Sequence, residues 1–389
     1  MLSCQKDKFS IPSDVSYLNC AYFSPLLNHV EKIGHQAVSM KKLPYEITIE
    51  NFFDPVDKLK KLFAQLIDEQ NHHRISLVPG VSYGIENVAN NISLTSGENI
   101  VVVGEQFPSN VYPWIRKAKT ANATISTVLP TINHPERGKS WNENVLKAIN
   151  GKTKIVAIAN VHWADGTLFD LHSIREQCDK YEALLVIDGS QSVGALPFSV
   201  KEIRPDALVC AGYKWLLGPY SLGLAFYGER FDDGEPIEAC WINKIDSDDF
   251  QNLSNYKEAY KPYASRYNVS ENSNFILVPM LAAAIEQIIA WTPESIQEYC
   301  DAISADSLLE LAELGCTIEQ KKYRAHHLFG IRLDDNFNIE KIKKSMADEN
   351  VYVSFRGNAI RVAPYVYNTK KNFEKLIKCI KQHKKRAIY

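Results

Sequence analysis

The chain has 389 residues, of which 45% are hydrophobic, a composition typical of a globular protein with a sizeable buried core. Lys and Arg total 44 against 46 Asp and Glu, so the formal net charge is −2. Because proteins that bind nucleic acid or anionic membranes usually present an excess of positive charge, this balance argues against both partners and favours a small-molecule ligand.

Eight cysteines stand singly along the chain, without a CxxC pair or a His/Cys cluster at zinc spacing. This pattern predicts reduced thiols, no metal site and a cytoplasmic location. No apolar run approaches the roughly 20 residues needed to cross a bilayer, and residues 1–10 lack the apolar core of a signal peptide. We therefore expect neither export nor membrane insertion.

Residues 8–30 are rich in Pro, Ser, Asn and aromatic residues and show no sustained periodicity. They predict an irregular N-terminal arm, which we assign to residues 1–30. A helix is predicted from Asp54 to Ile67, where apolar residues recur at helical spacing and Pro55 occupies a first-turn position.

From residue 74 onward, short apolar strands alternate with helices that begin near Ser82, Ser109, Asn142 and Leu171. The predicted strands are residues 74–79, 99–103, 123–128, 154–159, 183–188, 207–211 and 221–227. Helical crossovers between such strands predict a mainly parallel sheet that is covered on both faces. We assign residues 31–265 to a large α/β domain.

The alternation stops at residue 228. Residues 228–274 are charged and tyrosine-rich, which predicts a loop region that reaches over the site or toward a partner subunit. The pattern then predicts helices 278–291 and 293–314, strand 328–333, helix 338–347, strands 351–355 and 359–364, and helix 370–384. We assign residues 266–389 to a smaller α+β domain.

Lys214 lies within the nearly uninterrupted run of apolar and small residues from Val209 to Tyr227. A buried ammonium is costly to desolvate, so a lysine in such surroundings tends to lose its proton and to act as a nucleophilic amine. The ordinary alternative is a lysine at a strand end whose ammonium reaches the surface.

Two polar residues upstream favour the reactive lysine. Asp188 ends a predicted buried strand, at the sheet edge where parallel sheets bind ligands, and Gln191 follows three residues later. Each residue alone also fits a turn cap or a surface amide. Together with Lys214 they supply what pyridoxal 5'-phosphate requires: a carboxylate for the ring nitrogen, an amide for the ring oxygen and an amine for the aldehyde.

The segments VIDGSQSVG (186–194) and AGYKWLLGPYSLG (211–223) resemble the signature of the class V aminotransferases. These pyridoxal-phosphate enzymes of fold type I include cysteine desulfurases, kynureninase and isopenicillin N epimerase-like proteins. The resemblance extends from about Tyr17 to Thr369. It implies a mainly parallel seven-stranded sheet in the large domain, a smaller α+β C-terminal domain, and a homodimer with its site at the subunit boundary.

The resemblance implies that Lys214 forms the Schiff base with the cofactor, that Asp188 pairs with the pyridinium nitrogen and that Gln191 contacts the phenolic oxygen. The segment EQFPSNVYPW (105–114) is similar to the one whose aromatic residue stacks on the ring, a position that Phe107 fits. A core phenylalanine remains the alternative there.

The family's phosphate loop corresponds to LVPGVSYG (77–84), so Gly80, Val81 and Ser82 are expected to bind the phosphate. The start of a helix also suits a dianion, because unpaired N–H groups converge there. An ordinary helix cap at Ser82 is compatible with this role.

Further phosphate contacts are less regular. Tyr213 occupies a position where the family places histidine or tyrosine, whereas the usual serine is replaced by Ala211. Ser190 or a partner subunit would then substitute. The stretch RYNVSENSNF (266–275) corresponds to the one that reaches the partner's phosphate, with Ser273 or Asn274 as candidates.

On the substrate side, the stretch NVHWADGTLFDL (160–171) implies that His162 or Trp163 lines the pocket, although a structural histidine fits equally well. Arg361 fits the arginine that grips the substrate α-carboxylate. Arg356 is a candidate for a side-chain carboxylate or for a salt bridge.

The resemblance implies an enzyme that acts on an amino acid through an external aldimine, with transamination ahead of a C–S lyase, desulfurase-like or epimerase reaction. Residues 351–364 contain no cysteine, which disfavours a persulfide-forming desulfurase. A retired enzyme that only binds the cofactor would predict loss of Lys214, Asp188 or Arg361, and all three are present. A nicotinamide dehydrogenase is disfavoured because no GxGxxG follows the first strand.

Overall fold

The computed structural model describes residues 2–132, 134, 136–357 and 359–385. Residues 358 and 386–389, which belong to the predicted small domain, lie outside the described residues. The helices are α1 (Asn28–Met40), α2 (Glu50–Leu66), α3 (Val81–Asn90), α4 (Tyr112–Ala121), α5 (Arg137–Ala148), α6 (Leu171–Tyr181), α7 (Val200–Ile203), α8 (Leu277–Trp291), α9 (Pro293–Glu313), α10 (Ile339–Asp348) and α11 (Lys370–Lys381).

The strands are β1 (Ser16–Tyr17), β2 (Ile75–Val78), β3 (Asn99–Val103), β4 (Thr124–Val128), β5 (Thr153–Ala159), β6 (Leu184–Asp188), β7 (Ala207–Ala211), β8 (Gly223–Tyr227), β9 (Thr317–Ile318), β10 (Phe329–Arg332), β11 (Val351–Tyr352), β12 (Ser354–Arg356) and β13 (Ala359–Val362). None of the helices in the described ranges is long and apolar enough to span a bilayer.

The large sheet contains the seven predicted strands in the order β2-β8-β7-β6-β5-β3-β4. Strand β8 is antiparallel to both of its neighbours, and the remaining pairs are parallel. Strands β2, β3 and β6 to β8 are buried along their whole length because helices cover both faces, which explains their continuous apolar sequences. The predicted α/β fold of type I, with its mainly parallel sheet, is confirmed.

A smaller antiparallel sheet of order β12-β13-β10-β9 lies toward the C-terminus, with its own apolar cluster. The N-terminal segment joins this part of the molecule, since β1 pairs with β11 and Asn19 bridges to Ala363. The N-terminal segment therefore packs beside the smaller sheet.

The structure corrects two helix predictions near the N-terminus. Helix α1 begins at Asn28, within the segment predicted to be irregular, and α2 begins at Glu50 rather than Asp54. Pro55 therefore lies inside α2 and not in its first turn. The Asn51 side chain in the first turn accepts a hydrogen bond from the backbone N–H of Thr48, just before the helix.

Two helices of the large sheet also differ at their first residues. Helix α4 begins at Tyr112 after a short 3-10 turn over Pro108–Asn110, so the predicted start at Ser109 falls in that turn. Helix α5 begins at Arg137, five residues before the predicted Asn142. Arg137 stacks over the ring of Trp141, one turn further along the helix.

Candidate active site

A cavity of about 290 Å³ opens at the edge of the large sheet where the parallel strands end. Its size lies near the lower end of the range for small-molecule sites, about 300–1,000 Å³. The sequence-predicted residues that line it are Gly80, Val81, Ser82, Phe107, His162, Trp163, Asp188, Ser190, Gln191, Tyr213 and Lys214. The fold thus brings together residues that lie up to 134 positions apart in the chain.

Lys214 follows strand β7 and is only 6% exposed. Its Nζ lies 5.1 Å from the ring centroid of Phe107 and 5.5 Å from that of Tyr213. Within the described residues, this amine has no hydrogen bond or ion pair. Burial lowers its pKa to about 8, partly opposed by the carboxylate of Asp188 and reinforced by Arg361. The amine is therefore unpartnered, buried and readily deprotonated.

Asp188 is the last residue of β6 and is 5% exposed. Its Oδ1 accepts a hydrogen bond from the Ser190 backbone N–H at 3.0 Å, but no cation of the described residues lies within ion-pair distance. Burial raises the pKa of the carboxyl, while Ser190 and then Lys214 oppose the shift. A buried carboxylate that lacks a cation and faces a cavity fits the protonated ring nitrogen of pyridoxal phosphate.

Gln191 is held on the cavity wall by two hydrogen bonds. Its Nε2 donates to the carbonyl of Ala21 at 3.1 Å, and its Oε1 accepts from Trp215 Nε1 at 2.8 Å. The amide orientation is thereby fixed, and one Nε2 hydrogen remains for a ring oxygen. The contact with Ala21 brings the N-terminal segment into the site.

The first turn of α3 forms the opposite wall of the cavity. Gly80 precedes this helix without a side-chain cap, and a Cβ placed on it would meet nothing within 4 Å. Ser82 Oγ donates to Ser109 Oγ at 2.9 Å. Open space before uncapped N–H groups fits a phosphate dianion.

Ser190, proposed as a substitute for the missing family serine, is engaged elsewhere. Its Oγ accepts a hydrogen bond from the Ala211 backbone N–H at 3.0 Å, which ties β6 to β7 beneath the cavity. The hydroxyl hydrogen is the group left for a ligand. Ser273, considered for the partner's phosphate, is buried and its Oγ has no partner among the described residues, whereas Asn274 is exposed.

His162 is completely buried, and both of its ring nitrogens have partners. Nδ1 lies 3.2 Å from Asp165 Oδ1, and Nε2 lies 3.3 Å from the carbonyl oxygen of Gly104. The ring also packs against Trp141, with centroids 4.8 Å apart. Although His162 lines the cavity, both of its ring nitrogens are engaged with the protein, which favours a structural role over ligand binding.

Trp163 connects the cavity with the smaller sheet. Its ring contacts Phe107 edge-on at 5.5 Å, and its indole N–H donates to the carbonyl of Glu105 at 2.7 Å. On the other side, the guanidinium groups of Arg356 and Arg361 lie 5.0 and 5.9 Å from its ring centroid. Both predicted arginines are therefore beside the cavity, although neither lines it directly.

Arg361 is 1% exposed and donates to the Trp163 carbonyl at 2.9 Å and to Ser354 Oγ at 3.2 Å. Its Nε has no partner among the described residues. Burial, with Arg356 as the next contribution, lowers its pKa to about 10, so the side chain stays cationic at neutral pH. An unpaired buried cation next to the cavity suits a carboxylate.

Sequence reasoning missed several lining residues. Gln106 is buried and bonds to the carbonyls of Asn110 and Ala157, while Tyr220 is 60% exposed and stacks on Phe23 at the mouth of the cavity. Tyr220 and Ser221 belong to the run Val209–Tyr227 that contains Lys214, so the sequence could have predicted that they lie near the site. Nothing in the sequence marks Phe23, because the N-terminal arm approaches the site only through the fold.

The family model for aminotransferase class-V matches residues 47–376. The chain belongs to this family. Class V aminotransferases are pyridoxal-phosphate enzymes, so this membership confirms the predicted family, the enzyme class and the cofactor. The buried amine of Lys214 and the buried carboxylate of Asp188, which has no cation within ion-pair distance among the described residues, are consistent with such a cofactor.

Curated relatives carry two kinds of name. An uncharacterized aminotransferase, YcbU, of Bacillus subtilis is 26% identical over 320 residues, which are 81% of this chain and 80% of YcbU. A probable cysteine desulfurase of Borreliella burgdorferi is 24% identical over 403 aligned positions, which cover 95% of this chain and 88% of that protein. Within class V, the family fits both activities.

Solved structures share the fold. The Escherichia coli cysteine desulfurase CsdA aligns with a TM-score of 0.80 and 16% identity, over 97% of this chain and 96% of CsdA. The cystine C–S lyase C-DES aligns with a TM-score of 0.81 and 15% identity, over 94% of this chain and 97% of C-DES. At these identities the likeness establishes the architecture.

Proposed function

We propose that this class V enzyme transfers the amino group of a small amino acid, with Lys214 as the reacting amine and Arg361 as the carboxylate anchor. The observation that carries the proposal is that one cavity holds a buried amine without a hydrogen bond or ion pair and a buried carboxylate without a cation, both among the described residues. Burial disfavours the charged form of each group, and pyridoxal phosphate would supply an aldehyde for the amine and a protonated ring nitrogen for the carboxylate.

In this proposal the residues divide into three groups. Asp188 and Gln191 hold the ring nitrogen and the ring oxygen, and Phe107 packs on the ring beside Lys214. The first turn of α3, from Gly80 to Ser82, holds the phosphate with help from Tyr213 and Ser190. When bound, pyridoxal phosphate supplies an electron sink for the negative charge that develops at the substrate α-carbon.

The protein's own contribution is to move a proton and to orient the substrate. The neutral Nζ of Lys214 takes the proton from the substrate α-carbon, and its pKa of about 8 keeps a useful neutral fraction near physiological pH. Arg361 binds the α-carboxylate and thereby fixes which face of the α-carbon meets the amine. Trp163 lines the wall on which the substrate side chain rests, and Arg356 stacks on the Trp163 ring.

A second candidate is C–S bond cleavage by β-elimination. It is supported by the names of the relatives, among which probable cysteine desulfurases recur. Both reactions begin with removal of the α-proton, and they diverge in whether the β-substituent leaves. A persulfide-forming variant is opposed by the lining of the cavity, which contains no cysteine within the described residues.

The test is to incubate purified, cofactor-loaded protein with single amino acids. The 2-keto acid together with stoichiometric pyridoxamine phosphate, in the absence of an acceptor, supports transamination. Pyruvate with ammonia and sulfide from cysteine or cystine supports elimination instead. Protein that retains no cofactor, or that converts none of the amino acids, contradicts both candidates.

We also propose that the enzyme works as a homodimer in the cytoplasm. All eight cysteines are free in the fold, which suits a reducing compartment. The segment 266–275 lies after the large sheet and before α8, with Glu271 and Asn274 exposed and available to a second copy. Sedimentation at micromolar concentration tests the dimer, and a monomer with full activity would contradict it.

A further inference from the structure

A second cavity, of about 320 Å³, lies between α2 and the segment 260–272. It contains two lysines on facing elements, Lys60 of α2 and Lys261, and also His73. It shares no lining residue with the candidate active site. His73 precedes β2 whereas Gly80 follows it, so the two cavities open at opposite ends of this strand.

Lys60 is 5% exposed, and its Nζ donates to Ser265 Oγ at 3.1 Å. It forms no ion pair within the described parts of the chain. Burial, and next the charge of Lys261, lowers its pKa to about 7, while Asp57 acts in the opposite direction. A lysine buried in this way needs either a counter-ion or the loss of its proton.

Two carboxylates, Asp54 and Asp57, line the cavity together with this lysine. Asp57 already binds Lys61 at 2.7 Å and His72 at 2.9 Å. Asp54 lies on the exposed rim. Neither carboxylate comes within ion-pair distance of Lys60, so its charge is not neutralised by the residues that surround it.

Lys261 extends the positive character across the cavity. Its Nζ lies 4.5 Å from the ring centroid of Phe53, and burial lowers its pKa, with Asp248 in opposition. The side-chain amides of Asn268 and Asn272 line the same space. Each uses one amide hydrogen, Asn268 on the Ser265 carbonyl and Asn272 on Asn243 Oδ1, and each retains a second.

We propose that this cavity is a binding site for a small oxyanion, held by the Lys60 and Lys261 ammonium groups and by the amides of Asn268 and Asn272. Phosphate, sulfate and carboxylate share the required chemistry, which is a compact negative charge with several acceptor oxygens. The anion would neutralise Lys60 and join α2 to the segment 260–272. This inference does not depend on which reaction the active site performs.

The test is calorimetric titration of the cofactor-loaded protein with inorganic phosphate at neutral pH. Saturation with pyridoxal phosphate prevents added phosphate from binding at the first turn of α3, from Gly80 to Ser82. The decisive variant is Lys60→Met, which keeps the apolar stem and removes the charge. Lys58→Met is the matched control, because Lys58 lies on the same helix but is 58% exposed and pairs with Glu286.

We expect saturable phosphate binding that weakens by about tenfold or more in Lys60→Met and stays unchanged in Lys58→Met. Lys261→Met should also weaken phosphate binding. It serves as the test variant if Lys60→Met fails to fold. Sulfate and acetate titrations then separate a tetrahedral from a carboxylate ligand.

Four outcomes would overturn the proposal. The first three are no saturable binding of phosphate, sulfate or acetate by the parent protein, equal binding by the parent and both lysine variants, and equal competition by chloride. The fourth is phosphate binding that disappears on cofactor loading, because that phosphate would be bound at the first turn of α3. If the protein retains no cofactor, the dependence of phosphate binding on Lys60 still decides the question.

Discussion

The Lys214 amine lies 5.1 Å from the centroid of the Phe107 ring, and both side chains line one cavity. An aromatic face contributes about 0.5–2 kcal/mol to an ammonium, much less than a buried carboxylate partner would. The Phe107 ring therefore positions the amine without forming an ion pair with it, which leaves the amine available as a base and nucleophile.

Replacement of this amine is the most direct test of its role. We expect Lys214→Ala to abolish covalent retention of the cofactor after borohydride reduction, as measured by intact-protein mass. Turnover should fall by about 10²–10⁴-fold, because general base catalysis at the α-carbon is lost. Lys201→Ala, at an exposed position in α7, serves as the control and should behave as the parent. Unchanged covalent retention in Lys214→Ala would contradict the assignment.

The lowered pKa of Lys214 makes cofactor capture depend on pH. The neutral amine reacts with the aldehyde, and its fraction grows as the pH rises through about 8, so the rate should increase up to that region and then level off. Stopped-flow absorbance of the apoprotein mixed with pyridoxal phosphate measures the profile. In Asp188→Asn the midpoint should move to lower pH, because the carboxylate favours the ammonium. A midpoint near the ordinary lysine value would refute the burial argument.

Asp188→Asn should have opposite effects on stability and on activity. Burial raises the folded-state pKa of this carboxyl, so at neutral pH its charge opposes folding of the apoprotein, and its removal should increase the free energy of unfolding. Turnover should nevertheless drop by about 10²-fold or more, since the ring nitrogen loses its counter-charge. Urea unfolding of the apoprotein and steady-state kinetics measure the two effects, and a variant that loses stability would contradict this account.

Arg361→Lys should raise the KM for the amino acid substrate by about tenfold or more. A lysine retains the charge but cannot present two parallel N–H groups to a carboxylate. Arg356→Lys is the comparison, because Arg356 also stacks on Trp163 but is only partly buried. We expect its effect to depend on the substrate side chain, whereas the Arg361 effect should be the same for every amino acid tested. A KM unchanged in Arg361→Lys would exclude the carboxylate role.

Gly166→Ala should destabilise the fold by more than about 2 kcal/mol. This glycine has a φ of +75°, and a Cβ on it would lie 2.0 Å from the Leu328 carbonyl oxygen. The turn that carries Trp163 would be pushed away from the smaller sheet. Gly151→Ala is the control, because a Cβ there meets nothing within 4 Å. Equal urea midpoints for the two variants would contradict the prediction.

Most of the large sheet was predictable because strands β2, β3 and β6 to β8 are buried along their whole length, so apolar character alone marks them. Helix α1 was missed because its buried residues are Val30, Gly34 and Ala37, too small and too few to give a clear periodicity. The start of α2 was misplaced because Pro55 resembles a first-turn proline, whereas the helix begins at Glu50 and contains Pro55 in its interior.

In the site, Lys214, Asp188 and Gln191 could be predicted because each lies at the end of a recognisable strand or within three residues after it. The hydrogen bonds of His162 could not, since its partner Asp165 and the Gly104 carbonyl meet it only through a tight turn and a neighbouring strand end. The same reason hides Phe23 and Ala21, which contact the lining residues Tyr213 and Gln191 only through the tertiary fold.

The contact between the N-terminal segment and the smaller sheet determines when the site can be completed during protein synthesis. Asn19 receives a hydrogen bond from Ser354 Oγ and bridges to Ala363, close to Arg361. Asn19 leaves the ribosome 342 residues before Arg361. In the proposed function, a nascent chain that already contains Lys214 therefore still lacks its carboxylate anchor, and it can bind substrate only after β13 has been synthesised.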